Sequence, residues 1–212
     1  MARIKVIGAG PGGKDYLLPV AQKALEEAEI LVGGKRVLAP FQALQKKEVH
    51  VDGDLRRAVE FLRQNKNQKI AVLVSGDPGL YSLLDYLLKH FRPEEVEVVP
   101  GISAFQVAFA RAKMTWQDAV IISLHGRRHA QVMAEKVLPA VREKAKVALF
   151  TDRDYPPWKI AADLLRHGVT GKKMCVGDNL SCPEERWTAA GLEETAAKQE
   201  EFNNCVVLIV EG

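Results

Sequence analysis

Three glycines near the start of the chain have the spacing of a nucleotide-binding turn. Gly8, Gly10 and Gly13 in the run IKVIGAGPGG fit the pattern G-x-G-x-x-G, in which a glycine turn brings a pyrophosphate to the start of a helix. Here a helix that began at once would carry Pro19 in its interior, so we expect the helix to begin at Pro19 instead. No acidic residue follows the second strand to hold a ribose. The spacing therefore does not indicate an NAD site.

A second glycine turn contains an acidic residue. The run VSGDPGLYS, residues 74–82, ends a strand, and Gly76 and Gly79 let backbone amides and carbonyls approach a ligand. Asp77 offers an acceptor at the same turn. The alternative is that Asp77 only caps the following helix.

The run VVPGISAFQ, residues 98–106, repeats this arrangement of strand, turn and helix. Ser103 and Ala104 are small, so they leave room for a flat ligand such as an adenine ring, and Ser103 can bond that ligand or cap the helix. Neither turn has the G-x-x-x-x-G-K-[ST] spacing of a phosphate-binding loop.

Cationic side chains follow several strands. Guanidinium groups hold carboxylates in a bidentate manner, although single surface cations are often only solvated. His125 lies between the apolar run AVIISL and Gly126, where it could bond a carboxylate, accept a proton or simply close the strand. The candidate cations are Lys35, Arg36, Arg127, Arg128 and Arg153.

Composition excludes several function classes. The net charge of +3 is too small to indicate a nucleic-acid partner. No apolar run approaches the roughly 20 residues that span a bilayer, and no secretory signal is visible, so we expect a cytoplasmic protein without a membrane partner. Cys175, Cys182 and Cys205 lack the spacing of a zinc site or a redox motif, so no metal site is predicted.

Strand and helix patterns alternate along the chain. Such alternation predicts crossover connections and mostly parallel sheets, and ligands of such sheets bind beyond the carboxyl ends of the strands. We expect two α/β domains, residues 1–114 and 115–212, because a second series of strands and helices follows the short run KMTWQD. The glycine turns and the cations all fall in the loops after the strands.

The loops GAGPG, GDPGLY and PGISA, in this order after the first, fourth and fifth strands, resemble those of the tetrapyrrole methylase family. The resemblance implies S-adenosylmethionine (SAM) as the cofactor, held in an inter-domain cleft, and a homodimer. The glycine loop would then shape the floor of that cleft. The cofactor-binding residues that it implies are Pro11, Gly76, Asp77, Leu80, Ser103, Ala104, Phe150, Thr151 and Leu180.

Three further runs, LVGGKRVL, ISLHGR and DNLSCPEER, resemble those of the family members that methylate C5 of precorrin-7 or cobalt-precorrin-7 in cobalamin biosynthesis. A corrinoid carries a fringe of carboxylates, which suits the cations. C15 methylation and decarboxylation would belong to a separate enzyme. The resemblance implies His125 and Tyr81 as catalytic residues. The implied substrate-binding residues are Gly10, Lys35, Arg36, His125, Arg127 and Arg128.

Two positions depart from the family pattern. Leu18-Pro19 stands where many members carry Leu-Thr, and Tyr81 is followed by Ser82 instead of glycine. The alternatives are another methyltransferase of the family, which acts on a different corrin carbon or forms diphthine, and a non-catalytic protein that binds a tetrapyrrole.

Overall fold

The computed structural model describes residues 4–51, 53–126 and 128–212. The chain divides into two compact units between Ser103 and Ala104. This division lies before the expected boundary at residue 115, because the helix Ala104–Ala112 packs on two strands of the second unit. No helix in the described ranges is long and apolar enough to cross a membrane.

The first unit is a parallel sheet with helical connections. Its strands are β1 (Ile4–Gly8), β2 (Ile30–Gly33), β3 (Lys47–His50), β4 (Ile70–Val74) and β5 (Val96–Val99). Its helices are α1 (Pro19–Glu27), α2 (Lys35–Leu38), α3 (Leu55–Gln64) and α4 (Leu84–Leu87), with 3-10 turns at Lys14–Tyr16, Ala39–Leu44 and Pro93–Glu95. The strand order is β3-β2-β4-β1-β5, and every pair is parallel. The predicted parallel pairing is confirmed in this unit.

Buried aliphatic side chains fix both faces of this sheet. Val6 and Val72 belong to one apolar cluster, whereas Ile7 and Leu73 belong to the other. Successive side chains of a strand point to opposite faces, so a central strand covered on both sides is apolar throughout. Helix α1 begins at Pro19, as predicted, and only a 3-10 turn follows the first glycine loop. The predicted start of α1 is confirmed, and it lies later than the helix that follows a dinucleotide turn at once.

The second unit has a mixed sheet. Its strands are β6 (Val120–Ser123), β7 (Lys146–Thr151), β8 (Lys172–Asp178), β9 (Arg186–Gly191) and β10 (Cys205–Glu211), in the order β6-β7-β10-β8-β9. Its helices are α5 (Ala104–Ala112), α6 (His129–Val132), α7 (Leu138–Glu143), α8 (Pro157–Arg166) and α9 (Leu192–Ala197), with a π-helical turn, Met133–Val137, between α6 and α7.

Pairing in this second sheet differs from the prediction. Strands β6 and β7 are parallel, but β10 runs antiparallel to both β7 and β8, and β9 runs antiparallel to β8. The expectation of a mostly parallel sheet is therefore wrong here. The loop 179–185 is too short for the crossover that a parallel β8–β9 pair needs, since such connections take a dozen residues or more.

A buried carboxylate ties the end of β8 to its surroundings. Asp178 accepts hydrogen bonds from Arg186 Nη2 at 2.7 Å and from the backbone amides of Asn203 and Asn204 at 3.0 and 3.2 Å. Because a buried carboxylate must be paired, these donors fix the strand ends around the loop 179–185.

Candidate functional site

Three loops of the first unit meet through their glycines. A β-carbon on Gly8 would lie 2.6 Å from the carbonyl oxygen of Gly76 and 2.7 Å from Cα of Gly101. A β-carbon on Gly101 would lie 2.8 Å from Cα of Gly8 and closer still to the Gly76 oxygen. We call Gly8, Gly76 and Gly101 the glycine junction. It packs the loops after β1, β4 and β5 backbone to backbone and leaves no room for a side chain at Gly8 or Gly101.

Backbone hydrogen bonds extend the junction. Gly76 N donates to Gly10 O at 2.8 Å, and Ala9 N donates to Val74 O at 2.9 Å. Gly10 and Gly76 have φ values of 76° and 69°, which a side chain disfavours. The GAGPG loop thus runs along the start of the GDPGLY loop.

Asp77 connects the second and third loops. Its Oδ1 accepts the amide of Gly79 at 2.7 Å, and its Oδ2 accepts the amide of Gly101 at 3.0 Å. The carboxylate is half-buried. Asp77 was predicted to bind the cofactor or to cap a helix; what it does here is hold two loops in register.

The first-unit residues predicted to contact a cofactor lie around this junction. Ser103 is 4% exposed, and its Oγ would lie 3.6 Å from a β-carbon on Gly76. Leu80 N donates to Asp77 O at 3.2 Å, which closes the turn. Pro11 is half-buried. Ala104 is also half-buried, and as the first residue of α5 it begins the second unit. Gly10, Gly76, Asp77, Leu80 and Ser103 are therefore brought together.

The predicted catalytic Tyr81 continues the same loop. It is 52% exposed and has a φ of 49°. Lys35 and Arg36 lie elsewhere at this end of the sheet, as exposed residues that begin α2 directly after β2. Within the described residues neither of these cations has a hydrogen bond or an ion pair to another side chain.

In the second unit, the loop after β6 carries the predicted substrate-binding cations. His125 is exposed, and Gly126 has a φ of 61°. Arg128 is exposed and precedes α6. Arg127 lies outside the described residues.

A polar cluster that was not predicted from the sequence begins just after this loop, at His129. His129 Nε2 lies 3.4 Å from Asp152 Oδ2 without hydrogen-bond geometry, and the His129 ring stacks on Tyr155 with centroids 4.8 Å apart. Asp152 Oδ1 accepts the amide of Tyr155 at 3.1 Å, and the Tyr155 hydroxyl donates to Asp163. Partial burial opposes ionisation of Asp152, but the nearby His129 charge and the Tyr155 amide outweigh it and lower the pKa of Asp152. The signal for this cluster was a second histidine four residues after His125.

Of the remaining predicted cofactor residues, Phe150 and Thr151 end β7 and Leu180 follows β8. Phe150 is half-buried, and its carbonyl accepts the amide of Leu124 at 2.8 Å. Thr151 is buried and its hydroxyl donates to Tyr155 O, so that hydroxyl already has a partner. Leu180 is buried, and its side chain occupies the place that a β-carbon on Gly177 would need.

An ion pair also holds the loop that contains Leu180. Arg111 Nε lies 2.5 Å from Glu185 Oε1, and Arg111 Nη2 lies 3.1 Å from Glu185 Oε2. Glu185 Oε2 accepts the amide of Ser181 at 2.7 Å, and Ser181 has a φ of 72°. The hydrogen bond from Arg111, together with that from Ser181, lowers the pKa of Glu185. This pair was not predicted, because its partners are far apart in sequence.

Comparisons with known proteins identify the family of the chain. Residues 3–196 match the family model described as Tetrapyrrole (Corrin/Porphyrin) Methylases. The chain is 33% identical over 210 residues to the cobalt-precorrin-7 C(5)-methyltransferase of Salmonella typhimurium, covering 98% of this chain and 99% of that protein. It is 33% identical over 214 residues to a probable cobalt-precorrin-7 C(5)-methyltransferase of Methanocaldococcus jannaschii, covering 99% and 98%.

A longer relative and two solved structures complete the comparison. The chain is 28% identical to a precorrin-6Y C(5,15)-methyltransferase [decarboxylating] of Sinorhizobium sp, covering 87% of this chain and 44% of that protein. The structure of a cobalamin biosynthesis precorrin-6Y methylase from Archaeoglobus fulgidus aligns with a TM-score of 0.74 at 18% identity, covering all of both chains. A uroporphyrin-III C-methyl transferase from Thermus thermophilus, complexed with S-adenyl homocysteine, aligns with a TM-score of 0.77 at 24% identity, covering 99% and 97%. At these identities the two structures show the shared fold.

Proposed function

The chain belongs to the tetrapyrrole (corrin/porphyrin) methylase family, and from this premise we propose that it methylates C5 of precorrin-7 or cobalt-precorrin-7 in cobalamin biosynthesis. Family membership confirms the predicted enzyme class, a methyltransferase, and the predicted cofactor, SAM. The proposal of C5 as the target carbon is supported by the two full-length relatives that carry this activity in their names.

The glycine junction is the observation that supports this function most directly. The three loops that carry the resemblance lie far apart in sequence, yet Gly8, Gly76 and Gly101 pack their backbones against one another at the carboxyl ends of β1, β4 and β5. Ligands of open α/β sheets bind at this edge.

The residues around the junction are compatible with SAM. Glycine backbone without side chains, the Asp77 carboxylate and the Ser103 hydroxyl offer acceptors and donors to a ligand that carries an amine, a carboxylate, hydroxyls and a flat base. We assign SAM binding to Pro11, Gly76, Asp77, Leu80 and Ser103 of the first unit and to Ala104, Phe150, Thr151 and Leu180 of the second unit. When bound, SAM supplies a methyl group that its sulfonium already activates, so the chain need only orient C5 and exclude water.

We assign binding of the substrate's carboxylate fringe to the cationic side chains, and we place Gly10 near the tetrapyrrole ring. Lys35 and Arg36 are exposed and lack protein partners in the described residues, and Arg128 is exposed beside His125. Arg127 is assigned the same role from its position in the sequence alone. We assign to His125 either a hydrogen bond to a substrate carboxylate or acceptance of the proton that C5 gives up. No covalent nucleophile is required.

The decisive experiment is a product analysis. The protein is incubated with SAM labelled with ¹³C in its methyl group and with precorrin-7 or cobalt-precorrin-7, and the labelled carbon is located by NMR. Label at C5 supports the proposal. Label at another carbon identifies a different family methyltransferase. A protein that binds the macrocycle but neither SAM nor its demethylated product in calorimetry would be a non-catalytic carrier.

Homodimer formation and a cytoplasmic location remain predictions. Sedimentation at micromolar concentration is expected to give a particle of twice the chain mass of 23.4 kDa. A particle of the chain mass alone would contradict the dimer. C15 methylation and decarboxylation are assigned to a separate enzyme, which should leave C15 unlabelled in the product analysis.

A further inference from the structure

Tyr81 combines two unusual properties. Its φ of 49° lies in the left-handed region, which is unfavourable for a bulky side chain, and the residue is 52% exposed. Among the described non-glycine residues with positive φ, Tyr81 alone carries an aromatic ring. Burial of the ring therefore does not explain the conformation.

The rest of the loop imposes this conformation. Leu80 N donates to Asp77 O on one side, and the Ser82 hydroxyl donates to Pro78 O on the other. Leu84 N in turn donates to Ser82 Oγ at 3.1 Å. Asp77 holds the start of the loop through Gly79 and Gly101, so the backbone at residue 81 cannot relax without breaking contacts on both sides.

A glycine at this position would suit the backbone better than a tyrosine. A strained residue persists where the surrounding structure over-determines it, and such residues cluster at ligand sites. Tyr81 follows the glycine junction by a few residues, at the carboxyl edge of the first sheet where ligands bind. Tyr81 therefore lies, half exposed, at the edge of the sheet where ligands bind.

We propose that the ring of Tyr81 is a platform against which a flat face of the tetrapyrrole macrocycle packs, and that Tyr81 is a substrate-binding residue and not an acid or a base. This inference rests on the proposed function, because it takes a tetrapyrrole as the substrate. Aromatic rings pack well on flat conjugated ligands, and the tyrosine hydroxyl can reach a polar edge of the ligand.

The test compares Tyr81→Gly with Tyr81→Phe and uses uroporphyrin, a flat tetrapyrrole with a carboxylate fringe, as the probe. Tyr81→Gly is expected to weaken uroporphyrin binding about tenfold, as loss of an aromatic contact implies, and to leave SAM affinity within about twofold. Tyr81→Phe should keep affinity within about threefold. With cobalt-precorrin-7, Tyr81→Gly should raise KM more than it lowers kcat.

Gln45→Gly is the matched control. Gln45 is exposed in the same unit and has a φ of 52°, so glycine relieves the same kind of conformation without removing a ring. Both glycine variants should keep or raise the Tm, whereas only Tyr81→Gly should weaken uroporphyrin binding. If Tyr81 had a purely structural role, Tyr81→Gly would not keep or raise the Tm while it weakened uroporphyrin binding.

Three outcomes would overturn the platform. They are unchanged uroporphyrin binding in Tyr81→Gly, an equal loss of SAM binding, and dissociation of an oligomer in sedimentation, which would make the ring a subunit contact. If uroporphyrin binding depends on Tyr81 but no label reaches precorrin-7, the platform stands and the proposed methylation fails.

Discussion

Replacement of Gly101 by alanine tests the glycine junction. The added β-carbon would lie 2.8 Å from Cα of Gly8 and 2.9 Å from its carbonyl carbon, well inside ordinary contact. These are backbone atoms of the first strand, so they cannot turn aside as a flexible side chain would. Overpacking of this kind costs about 1–3 kcal/mol.

The same substitution also displaces a hydrogen bond. Gly101 N donates to Asp77 Oδ2 at 3.0 Å, and loss of a hydrogen bond to a charged group costs about 1.5–3 kcal/mol. Together the two effects reach roughly 2.5–6 kcal/mol, a large part of the roughly 5–15 kcal/mol that stabilises a typical domain. For a chain of this size each kcal/mol lowers the Tm by about 2–4 °C, so a fall of at least about 5 °C is expected.

Gly168→Ala is the matched control. Gly168 has a φ of 74°, and a β-carbon there meets nothing within 4 Å, so only the backbone conformation is penalised, by about 1–2 kcal/mol. Urea unfolding of both variants gives the comparison. If Gly101→Ala loses no more unfolding free energy than Gly168→Ala, the junction does not pack as described.

Three further predictions concern the site and its surroundings. Arg128→Ala should weaken uroporphyrin binding roughly ten- to a hundredfold and spare SAM, whereas the exposed control Arg56→Ala should change neither in calorimetry; equal losses in both variants would contradict a specific carboxylate contact. Glu185→Gln should weaken SAM binding through the loop 179–185. The pKa of Glu185 is lowered in the folded state, so the ionised carboxylate stabilises the fold above its unfolded-state pKa of about 4.3, and this stabilisation is lost as the pH falls. The Tm difference between wild type and Glu185→Gln should therefore shrink from about pH 6 to pH 3. Iodoacetamide at pH 8 should modify Cys182 before Cys175 and Cys205, since burial raises the pKa of both buried thiols, and mass spectrometry that found Cys205 modified first would contradict this.

The sequence predicted the first unit well, because local rules and tertiary packing agree there. Apolar runs became buried parallel strands, and the proline that argued against an early helix stands at the start of α1. The order of the loops was sufficient for the family resemblance, which the comparisons confirm. The helix after the GDPGLY loop is short, Leu84–Leu87, since the turn that holds Tyr81 delays its start.

The second unit was harder to predict because long-range pairing decides it. Strand β9 has no strong signal in the sequence, since its residues are mostly exposed and only weakly apolar. Strand β10 inserts between β7 and β8, and no local pattern shows that insertion. The Arg111–Glu185 pair joins a helix to a distant loop, so the two charges look like ordinary surface residues until the chain is folded.

Asp77 illustrates why a motif is easier to find than to explain. From the sequence, an aspartate between glycines is interpreted either as a helix cap or as a ligand contact. Each interpretation needs only one carboxylate oxygen as an acceptor. In the structure, the two oxygens accept amides from two different loops, at Gly79 and Gly101. An asparagine would present an N–H group to one of these amides and could satisfy only the other. The motif therefore requires the acid for its two acceptors, and methyl transfer from an activated donor requires no acid or base from the same residue.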